Sequence, residues 1–381
     1  MWSAWLVLMS GANLATPLYA VYAQRFHFSS LVLTSVFATY AFVLVPALIL
    51  FGRLSDRFGR RPVIVAGLAV ALAALLVFAF AESEAWLYAA RALQGLAVGM
   101  ISGAATAALV ELDPADDMRR AALFAGLAQA GGSGLGPLVA GVLAQWAPEP
   151  LRLCFFAGAG ATVAAAAAIL CLRGHDGGEG EPWRVQLPRV PRELRGPFRR
   201  VAVGAGIAWA SAALYLSIVP SYAQRLLHTH DLALVAALAA VALVSSCAAQ
   251  IVSQRRHPSV QGSQAVGLAL VAVGMVTLVA ASPAGSLALL VAGSVLAGTG
   301  HGVTVLNAQE ELNDLAPGER RGEVTAAFIA CIYFVVAAAV IGSGLLDSRL
   351  SLAAAVGAVA VGLAVLGSAA AIWQAQAART G

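Results

Sequence analysis

The sequence predicts an all-α integral membrane protein whose twelve transmembrane helices form two pseudo-symmetric six-helix bundles. Three observations support this fold class: the composition is strongly apolar, twelve long apolar runs follow one another, and short motifs recur about 200 residues apart. Of the 381 residues, 60% are hydrophobic and only 11% are charged, and the mean hydropathy is +0.83. Because soluble domains carry about 25% charged residues, this chain is built to face lipid rather than water.

Twelve apolar runs divide the chain, and each has about the length that a membrane span requires. A transmembrane helix needs about 20 predominantly apolar residues. The predicted helices lie near residues 2–22, 31–51, 62–81, 85–109, 119–145, 151–172, 199–222, 231–252, 263–281, 286–308, 322–346 and 350–374. The first run lacks the basic residues that precede a signal-peptide core, so it is predicted to be a transmembrane helix. Whether a short cytoplasmic tail precedes Met1 is open.

Every basic side chain of the protein except histidine is an arginine, because the chain contains no lysine. This absence removes the lysine of a Walker A phosphate site and the lysine of a Schiff base, and so argues against an ATP-driven pump. The spans also lack a cluster of nucleophiles, carboxylates or metal ligands. No enzymatic activity, cofactor or metal site is therefore expected. The four cysteines fall within predicted helices without metal-like spacing and are expected to be buried.

The arginines are distributed according to the predicted topology. The side that carries both termini holds Arg53, Arg57, Arg60, Arg61, Arg119, Arg120, Arg173, Arg184, Arg189, Arg192, Arg195, Arg199, Arg200, Arg255, Arg256, Arg320, Arg321 and Arg379. The other side holds only Arg25, Arg152, Arg225 and Arg349. This positive-inside pattern predicts that both termini are cytoplasmic. It also explains the pI near 9.1 without a nucleic-acid partner.

The chain divides into two halves joined by a polar segment. Residues 173–198 are rich in arginine, proline and glycine, so they are predicted to form a cytoplasmic linker between a bundle of residues 1–172 and a bundle of residues 199–381. The sequence YAQR occurs at residues 22–25 and again at 222–225, each time just after the first predicted helix of a half. Arginine pairs at 119–120 and 320–321 recur at nearly the same offset. Such duplication is typical of secondary transporters, whose substrate site lies between the repeats.

Three motifs carry a resemblance to a known family. Residues 52–62 read GRLSDRFGRRP, residues 91–95 read RALQG, and the fifth predicted helix contains Gly132, Gly136-Pro137 and Gly141. In sequence and topological position, these motifs resemble the signatures of the major facilitator superfamily, and the resemblance covers essentially the whole chain. The second half keeps only SQRRHP at 253–258, without an acidic residue. The resemblance implies two bundles that rock around a central site, and its fifth-helix motif is associated with antiporters.

The loop of residues 52–62 is predicted to be a conformational latch. A carboxylate at Asp56 can meet the positive end of a neighbouring helix, for which the family implies the eleventh helix. Glu111 is expected to pair with Arg60 or Arg61 in a charge-assisted hydrogen bond. The alternative is that the arginines only set the topology. The candidate latch residues are Gly52, Asp56, Arg57, Gly59, Arg60, Arg61 and Glu111.

Arg91 is the most informative residue within a span. A guanidinium inside a membrane span costs several kcal/mol on insertion scales, so Arg91 is predicted to face a partner or a water-filled cavity. Gln94 shares its helix face, whereas Gly95, Gly99 and Gly103 form a separate stripe suited to close helix packing. The alternative is that Arg91 extends to the outer membrane surface.

Coupling to protons is left open by the residues themselves. Antiporters of this family often place a carboxylate in the first helix, whereas this chain has Asn13, which cannot carry a proton. His301 is the only mid-span residue that titrates near neutral pH, and it is either a proton or substrate group or a helix-packing histidine. The candidate pathway residues are Asn13, Arg91, Gln94, Gln129, Trp209, Tyr215, His301, Asn307 and Tyr333, and the packing or antiporter motif comprises Gly132, Gly136, Pro137 and Gly141.

Taken together, the residues predict a secondary transporter for a small organic molecule. The expected activity is proton-coupled efflux of a drug-like or natural-product compound, because the pathway carries few fixed charges and the fifth helix resembles that of antiporters. The alternatives are uptake or facilitated diffusion of a sugar or other neutral metabolite and, more remotely, a membrane sensor that does not transport. An arginine-rich, lysine-free chain with abundant alanine and glycine fits a GC-rich bacterium, so the inner (plasma) membrane is the expected location. The transporter is expected to be a monomer.

Overall fold

The computed structural model describes residues 1–52, 54–111, 118–171, 189–217, 219–229, 231–255, 259–316 and 321–380. Within these residues, twelve helical spans are long and apolar enough to cross a membrane, so the predicted number is confirmed. In chain order, spans 1 to 12 are Trp2–Phe26, Ser30–Phe51, Arg60–Ala79, Glu84–Leu109, Arg120–Trp146, Leu153–Cys171, Arg192–Ser217, Leu232–Arg255, Val260–Ala284, Leu287–Leu315, Glu323–Asp347 and Leu352–Arg379. Span 1 begins and span 12 ends on the same side, which we call the terminal face; the other side is the opposite face.

Span 1 consists of two helices with a break between them. Its first helix, Trp2–Asn13, is followed by a 3₁₀ turn at Thr16–Leu18 and by a second helix at Tyr19–Phe26. The cause is Pro17, which cannot donate a backbone hydrogen bond and whose ring collides with the carbonyl four residues earlier. The first YAQR motif therefore lies inside the second helix of span 1, which corrects the expectation that it follows the span.

Span 7 is followed by a second helix in the same way as the first helix of span 1. Helix Arg195–Ser217 is followed by helix Val219–Leu227, which contains the second YAQR motif. Each of the two short helices ends at a histidine with positive φ, His27 at 55° and His228 at 50°. The repeats found in the sequence thus correspond to equivalent positions in the two halves.

The helix of span 7 begins earlier in the chain than predicted. The helix of span 7 begins at Arg195, after a 3₁₀ turn at Arg192–Leu194, rather than at residue 199. Pro197 then falls in the first helical turn, where its missing N–H has no helical partner to lose. Residues 173–188 of the predicted linker lie outside the described residues.

In the described part of the chain, four spans begin at a serine that caps the helix. Ser29 before span 2, Ser259 before span 9, Ser286 before span 10 and Ser351 before span 12 each accept a hydrogen bond from the backbone N–H three residues later. A side-chain oxygen in this position satisfies one of the N–H groups that a helix leaves unpaired at its start. The capping serines define where these helices begin, whereas the apolar runs alone gave only approximate starts.

Within the described residues, the two halves meet mainly along two helix pairs. Span 2 packs against span 11, and span 5 packs against span 8. Large apolar side chains on the outward surfaces remain exposed, such as Phe42 and Phe334, as expected for a protein surrounded by lipid. Cys171 and Cys331 also lie on exposed surfaces, which corrects the expectation that all four cysteines are buried.

Candidate functional site

Arg91 and Gln94 of span 4 bind the broken end of the first helix in span 1. Arg91 donates from Nη1 to the carbonyl of Ala12 at 3.0 Å and to Oε1 of Gln94 at 2.9 Å. Gln94 in turn donates from Nε2 to the carbonyl of Gly11 at 3.1 Å. The last carbonyls of a helix lack helical partners and carry partial negative charge. The Arg91–Gln94 pair therefore stabilises the break in span 1, and both side chains are buried.

Arg91 also belongs to an aromatic contact that crosses between the halves. Its guanidinium carbon lies 4.8 Å from the ring centroid of Phe37 and 4.7 Å from that of Tyr40, both on span 2. The Tyr40 ring packs edge-on against Tyr333 of span 11, with centroids 6.0 Å apart. The predicted pathway residues Arg91, Gln94 and Tyr333 are thus linked through Phe37 and Tyr40. The sequence did not single out Phe37 and Tyr40, because the hydrophobic pattern of span 2 does not distinguish them from Phe42, which faces the lipid.

Asn13 joins span 1 to span 5. Its Nδ2 donates to the carbonyl of Met9 at 2.9 Å and to Oγ of Ser133 at 3.1 Å. Gln129 lies one turn before Ser133 on span 5 and is half-buried. The polar side chains of spans 1 and 5 therefore lie close together in the N-terminal half.

His301 of span 10 is the centre of a polar cluster in the C-terminal half. Its Nδ1 lies 2.9 Å from Oγ of Ser246, which also accepts a hydrogen bond from Nε2 of Gln250 at 3.2 Å. The ring of Trp209 packs perpendicular to the imidazole, with centroids 4.6 Å apart. The Nε2 atom of His301 is buried, and within the described residues it has no hydrogen-bond partner. The cluster brings together Trp209 and His301 as predicted pathway residues, and adds Ser246 and Gln250.

Two predicted pathway residues lie away from this cluster. Tyr215 is almost fully buried in the apolar core of the C-terminal half. Asn307 donates from Nδ2 to Oγ of Ser253 at 3.1 Å and to the carbonyl of Val303 at 2.8 Å, so it joins spans 10 and 8. Both residues make contacts within the C-terminal half.

A closed ring of four buried side chains lies near the terminal face of the C-terminal half. Arg200 of span 7 binds Glu311 of span 10 and Gln374 of span 12. Gln264 of span 9 completes the ring, since it donates to Oε2 of Glu311 at 2.6 Å and accepts from Gln374 at 2.8 Å. Sequence reasoning assigned Arg200 to the surface arginines and missed the ring. One sequence signal pointed to Glu311: it lies 200 residues after Glu111, the same offset that separates the two YAQR motifs.

The loop of residues 52–62 forms contacts near the terminal face of the N-terminal half. Of the two expected partners of Glu111, Arg60 forms the ion pair, with Nη2 2.8 Å from Oε1. Gly59 has φ of 88°, a backbone conformation that favours glycine. Arg61 donates to the carbonyl of Leu170 in span 6. The pair Arg60–Glu111 therefore ties the start of span 3 to the end of span 4.

The remaining loop candidates have simpler surroundings. Arg57 lies over the ring of Phe58, 5.2 Å from its centroid. Gly52 lies against span 4, where a Cβ added to Gly103 would lie 2.7 Å from the carbonyl oxygen of Gly52. The side chain of Asp56 lies outside the described residues.

The glycines of span 5 contact two different helices. A Cβ at Gly132 or Gly136 would come closer than 3.0 Å to the backbone of span 1. A Cβ at Gly141 would collide with Ala236 of span 8, which belongs to the other half. Pro137 lies between these positions inside the helix. The motif therefore permits close packing both within the N-terminal half and between the halves.

Substitution of Gly141 with alanine is expected to push spans 5 and 8 apart. Overpacking of this kind costs about 1–3 kcal/mol, so the population open at the opposite face should rise. Pulsed EPR between spin labels at Trp146 and Arg349, which are exposed in different halves, measures this opening. Gly160→Ala is the control, because a Cβ at Gly160 has open space around it. Identical distance distributions for Gly141→Ala and the unsubstituted protein would contradict the expectation.

Comparison with known proteins decides the family. The model of the Major Facilitator Superfamily matches residues 1–340 of the chain. The protein belongs to this superfamily. The resemblance seen in the three sequence motifs is thereby confirmed, and the protein is a multi-pass membrane transporter of small molecules.

Solved structures of other transporters share this major facilitator fold. The human organic anion transporter MFSD10 (TETRAN) superposes with a TM-score of 0.72 at 16% identity, covering 97% of each chain. A bacterial homologue of the human lysosomal transporter Spinster, in an inward-facing and occupied conformation, superposes with a TM-score of 0.74 at 16% identity, covering 99% of this chain and 95% of that one. At this identity, the likeness shows the fold alone.

One curated relative is similar over part of the sequence. The inner membrane transport protein YajR of Escherichia coli (strain K12) is 33% identical over 120 residues, which is 31% of this chain. The match spans about a quarter (26%) of the length of YajR.

Proposed function

We propose that this transporter exports a small drug-like or natural-product molecule in exchange for protons. Residues 1–172 and 199–381 act as the two rocking bundles, and residues 173–198 link them. The observation that carries the proposal is the glycine motif of span 5, which packs against span 1 through Gly132 and Gly136 and against span 8 of the other half through Gly141. A helix that contacts both a broken span and the opposite bundle is well placed to couple a local change to rocking.

His301 is our candidate for the proton-carrying group. It is buried at the contact of spans 7, 8 and 10, with one imidazole nitrogen bound to Ser246 and the other without a described partner. Asn13 occupies the part of span 1 where antiporters of the family often carry an acid, and it cannot supply a proton. An imidazole is the side chain whose ordinary titration range includes physiological pH.

The ion pair of Arg60 and Glu111 supports the proposed latch near the terminal face. The pair is partly exposed, with 24% and 54% of the two side chains accessible. It can therefore break and form again at little cost, because exposed ion pairs contribute only about 0–1 kcal/mol. The candidate latch includes Asp56 as well, together with Arg57, Arg61 and the two loop glycines.

The excess of arginine on the terminal face supports cytoplasmic termini in a bacterial inner membrane. We propose a monomer that acts without a cofactor or metal and carries no enzymatic activity. Each half buries a core of its own, and a third core joins residues of both halves, so a single chain can complete the fold.

Transport by purified protein in proteoliposomes tests the proposal. A panel of aromatic drug-like compounds is added under an imposed pH gradient, and an enclosed pH-sensitive dye reports proton movement. We expect at least one compound to move against its own gradient while protons move the opposite way. His301→Gln should abolish this gradient-driven accumulation, whereas His27→Gln, at the exposed end of span 1, should not.

Two results would contradict proton-coupled export. The proposal fails if the pH gradient has no effect on any compound that the unsubstituted protein moves. It also fails if sugars or other neutral metabolites equilibrate without proton movement, because that result identifies facilitated diffusion. Normal coupling in His301→Gln would leave export intact and exclude His301 as the proton carrier.

A further inference from the structure

A cavity of about 500 Å³ opens between the two halves on the opposite face. It is lined by the end of span 1, the start of span 2, the helix Val219–Leu227 and the start of span 12. Pockets of 300–1,000 Å³ are the usual size for small-molecule sites. Because both halves contribute to its wall, the shape of the cavity depends on their relative position.

The polar lining of the cavity is only partly symmetric. Gln24 and Gln224, which are 200 residues apart, both line it. Of the two arginines that follow them, Arg225 lines the cavity, whereas Arg25 is absent from the lining and lies over the ring of Phe26. His228 adds a second basic side chain, and the described lining contains no carboxylate. The C-terminal half therefore supplies positive charge without an acidic partner in the wall.

One face of span 2 leads from the cavity towards Arg91. Ser30 and Leu33 line the cavity, and Phe37 and Tyr40 follow on the same helix face. The guanidinium of Arg91 lies against these two rings. Its described hydrogen-bond partners are two backbone carbonyls and the amide of Gln94, so no described carboxylate balances its charge.

We propose that this cavity is a binding site for an amphipathic organic anion with a carboxylate or sulfonate group. Arg225 binds the acid group through its planar guanidinium, which matches the geometry of such anions. The amides of Gln24 and Gln224 donate further hydrogen bonds, and Phe28 and Leu33 contact the apolar part. Arg91 is a second cationic position deeper along span 2. The inference rests on the proposed transport function and names the class of its substrate.

The rate of cysteine modification measures the charge of the cavity. The four native cysteines are replaced with alanine, and Ser30→Cys serves as the reporter because Ser30 lines the cavity without being an assigned ligand. Nanodiscs of zwitterionic phosphatidylcholine keep anionic lipid away. The probes are two methanethiosulfonates, anionic sulfonatoethyl and cationic trimethylammonioethyl. Relative to free cysteine, we expect the anionic reagent to be favoured about fivefold.

Arg225→Gln should remove this preference for the anionic reagent. Arg25→Gln is the matched control, because Arg25 occupies the equivalent position of the other half and does not line the cavity. It should leave most of the preference, because its guanidinium lies over the ring of Phe26 and outside the cavity wall. A rate ratio equal to that of free cysteine, or one unchanged by Arg225→Gln, would overturn the proposal.

Protection of the same reporter tests binding directly. Naphthalene-2-sulfonate should slow the reaction of Ser30→Cys with neutral N-ethylmaleimide, and the uncharged naphthalene-2-sulfonamide should not. The protection should disappear in Arg225→Gln. Equal protection by both compounds, or by neither, overturns the site. If phosphatidylglycerol in the nanodisc protects the thiol and naphthalene-2-sulfonate does not, the occupant is a lipid headgroup rather than a soluble anion, and the proposal is overturned.

The labelling and protection measurements need no proton gradient, so they test the anion site independently of the export assay. Normal labelling and protection without proton-coupled transport would retain the anion site and remove the proposed export. Proton-coupled transport without any anion preference would retain export and remove the anion site.

Discussion

Glu311→Ala is expected to destabilise the protein by about 3–5 kcal/mol, the usual cost of removing one partner from a buried ion pair. The substitution leaves Arg200 charged and buried without its carboxylate. It also removes the acceptor for Gln264, whose amide is fully buried. Because the ring joins spans 7, 9, 10 and 12, the loss should affect the whole C-terminal half.

Equilibrium unfolding in mixed micelles, monitored by far-ultraviolet circular dichroism, measures this loss. Glu149→Ala is the control, because Glu149 forms an exposed pair with Arg152 at 3.8 Å and should contribute at most about 1 kcal/mol. The double variant Arg200→Met with Glu311→Leu should lose less than Glu311→Ala, since it leaves no unpaired charge. Equal stability of Glu311→Ala and Glu149→Ala would contradict the account of the ring.

Arg91→Ala is expected to abolish transport and to destabilise the protein by about 3 kcal/mol. The substitution removes the donors to Ala12 and Phe37 and the cation between two aromatic rings. Hydrogen bonds from a charged group contribute about 1.5–3 kcal/mol each. Of the two span 4 side chains that bind the carbonyls at the break, Gln94 alone would remain, through its bond to Gly11.

Arg91→Lys separates the charge of this side chain from its geometry. An ammonium keeps the charge but cannot reproduce the planar fork that reaches both Ala12 and Phe37. We therefore expect transport to fall to nearly the level of Arg91→Ala, measured in the same proteoliposomes, with a smaller loss of stability. Arg349→Ala, at an exposed loop on the opposite face, should retain both properties. Full transport by Arg91→Lys would show that charge alone is sufficient.

The spans could be predicted because a membrane helix is specified locally. A run of about 20 apolar residues is long enough to cross the bilayer by itself. The break at Pro17 was not predicted, because the apolar run continues across it. The loop motif at residues 52–62 was similarly visible, since glycine at a positive φ and charges at helix ends are local features. The pairing of Glu111 with Arg60 was one of the two pairings that the sequence allowed.

The buried polar contacts were not predictable in the same way. Arg200 and Glu311 are 111 positions apart, and Gln374 is 174 positions from Arg200. Nothing in the local pattern distinguishes Arg200 from its neighbour Arg199, yet Arg200 is buried and Arg199 is exposed. The difference follows from which helix face packs inward.

By itself, the sequence determined the membrane environment, the number of spans, their duplication and the family, because apolar length and short motifs are properties of adjacent residues. Only the tertiary structure decided that Arg91 binds the break in span 1 and contacts Tyr40, that His301 pairs with Ser246, and that four distant side chains close a ring. The physical reason is that a polar group in a low-dielectric interior must find partners, and folding alone brings those partners within hydrogen-bond distance.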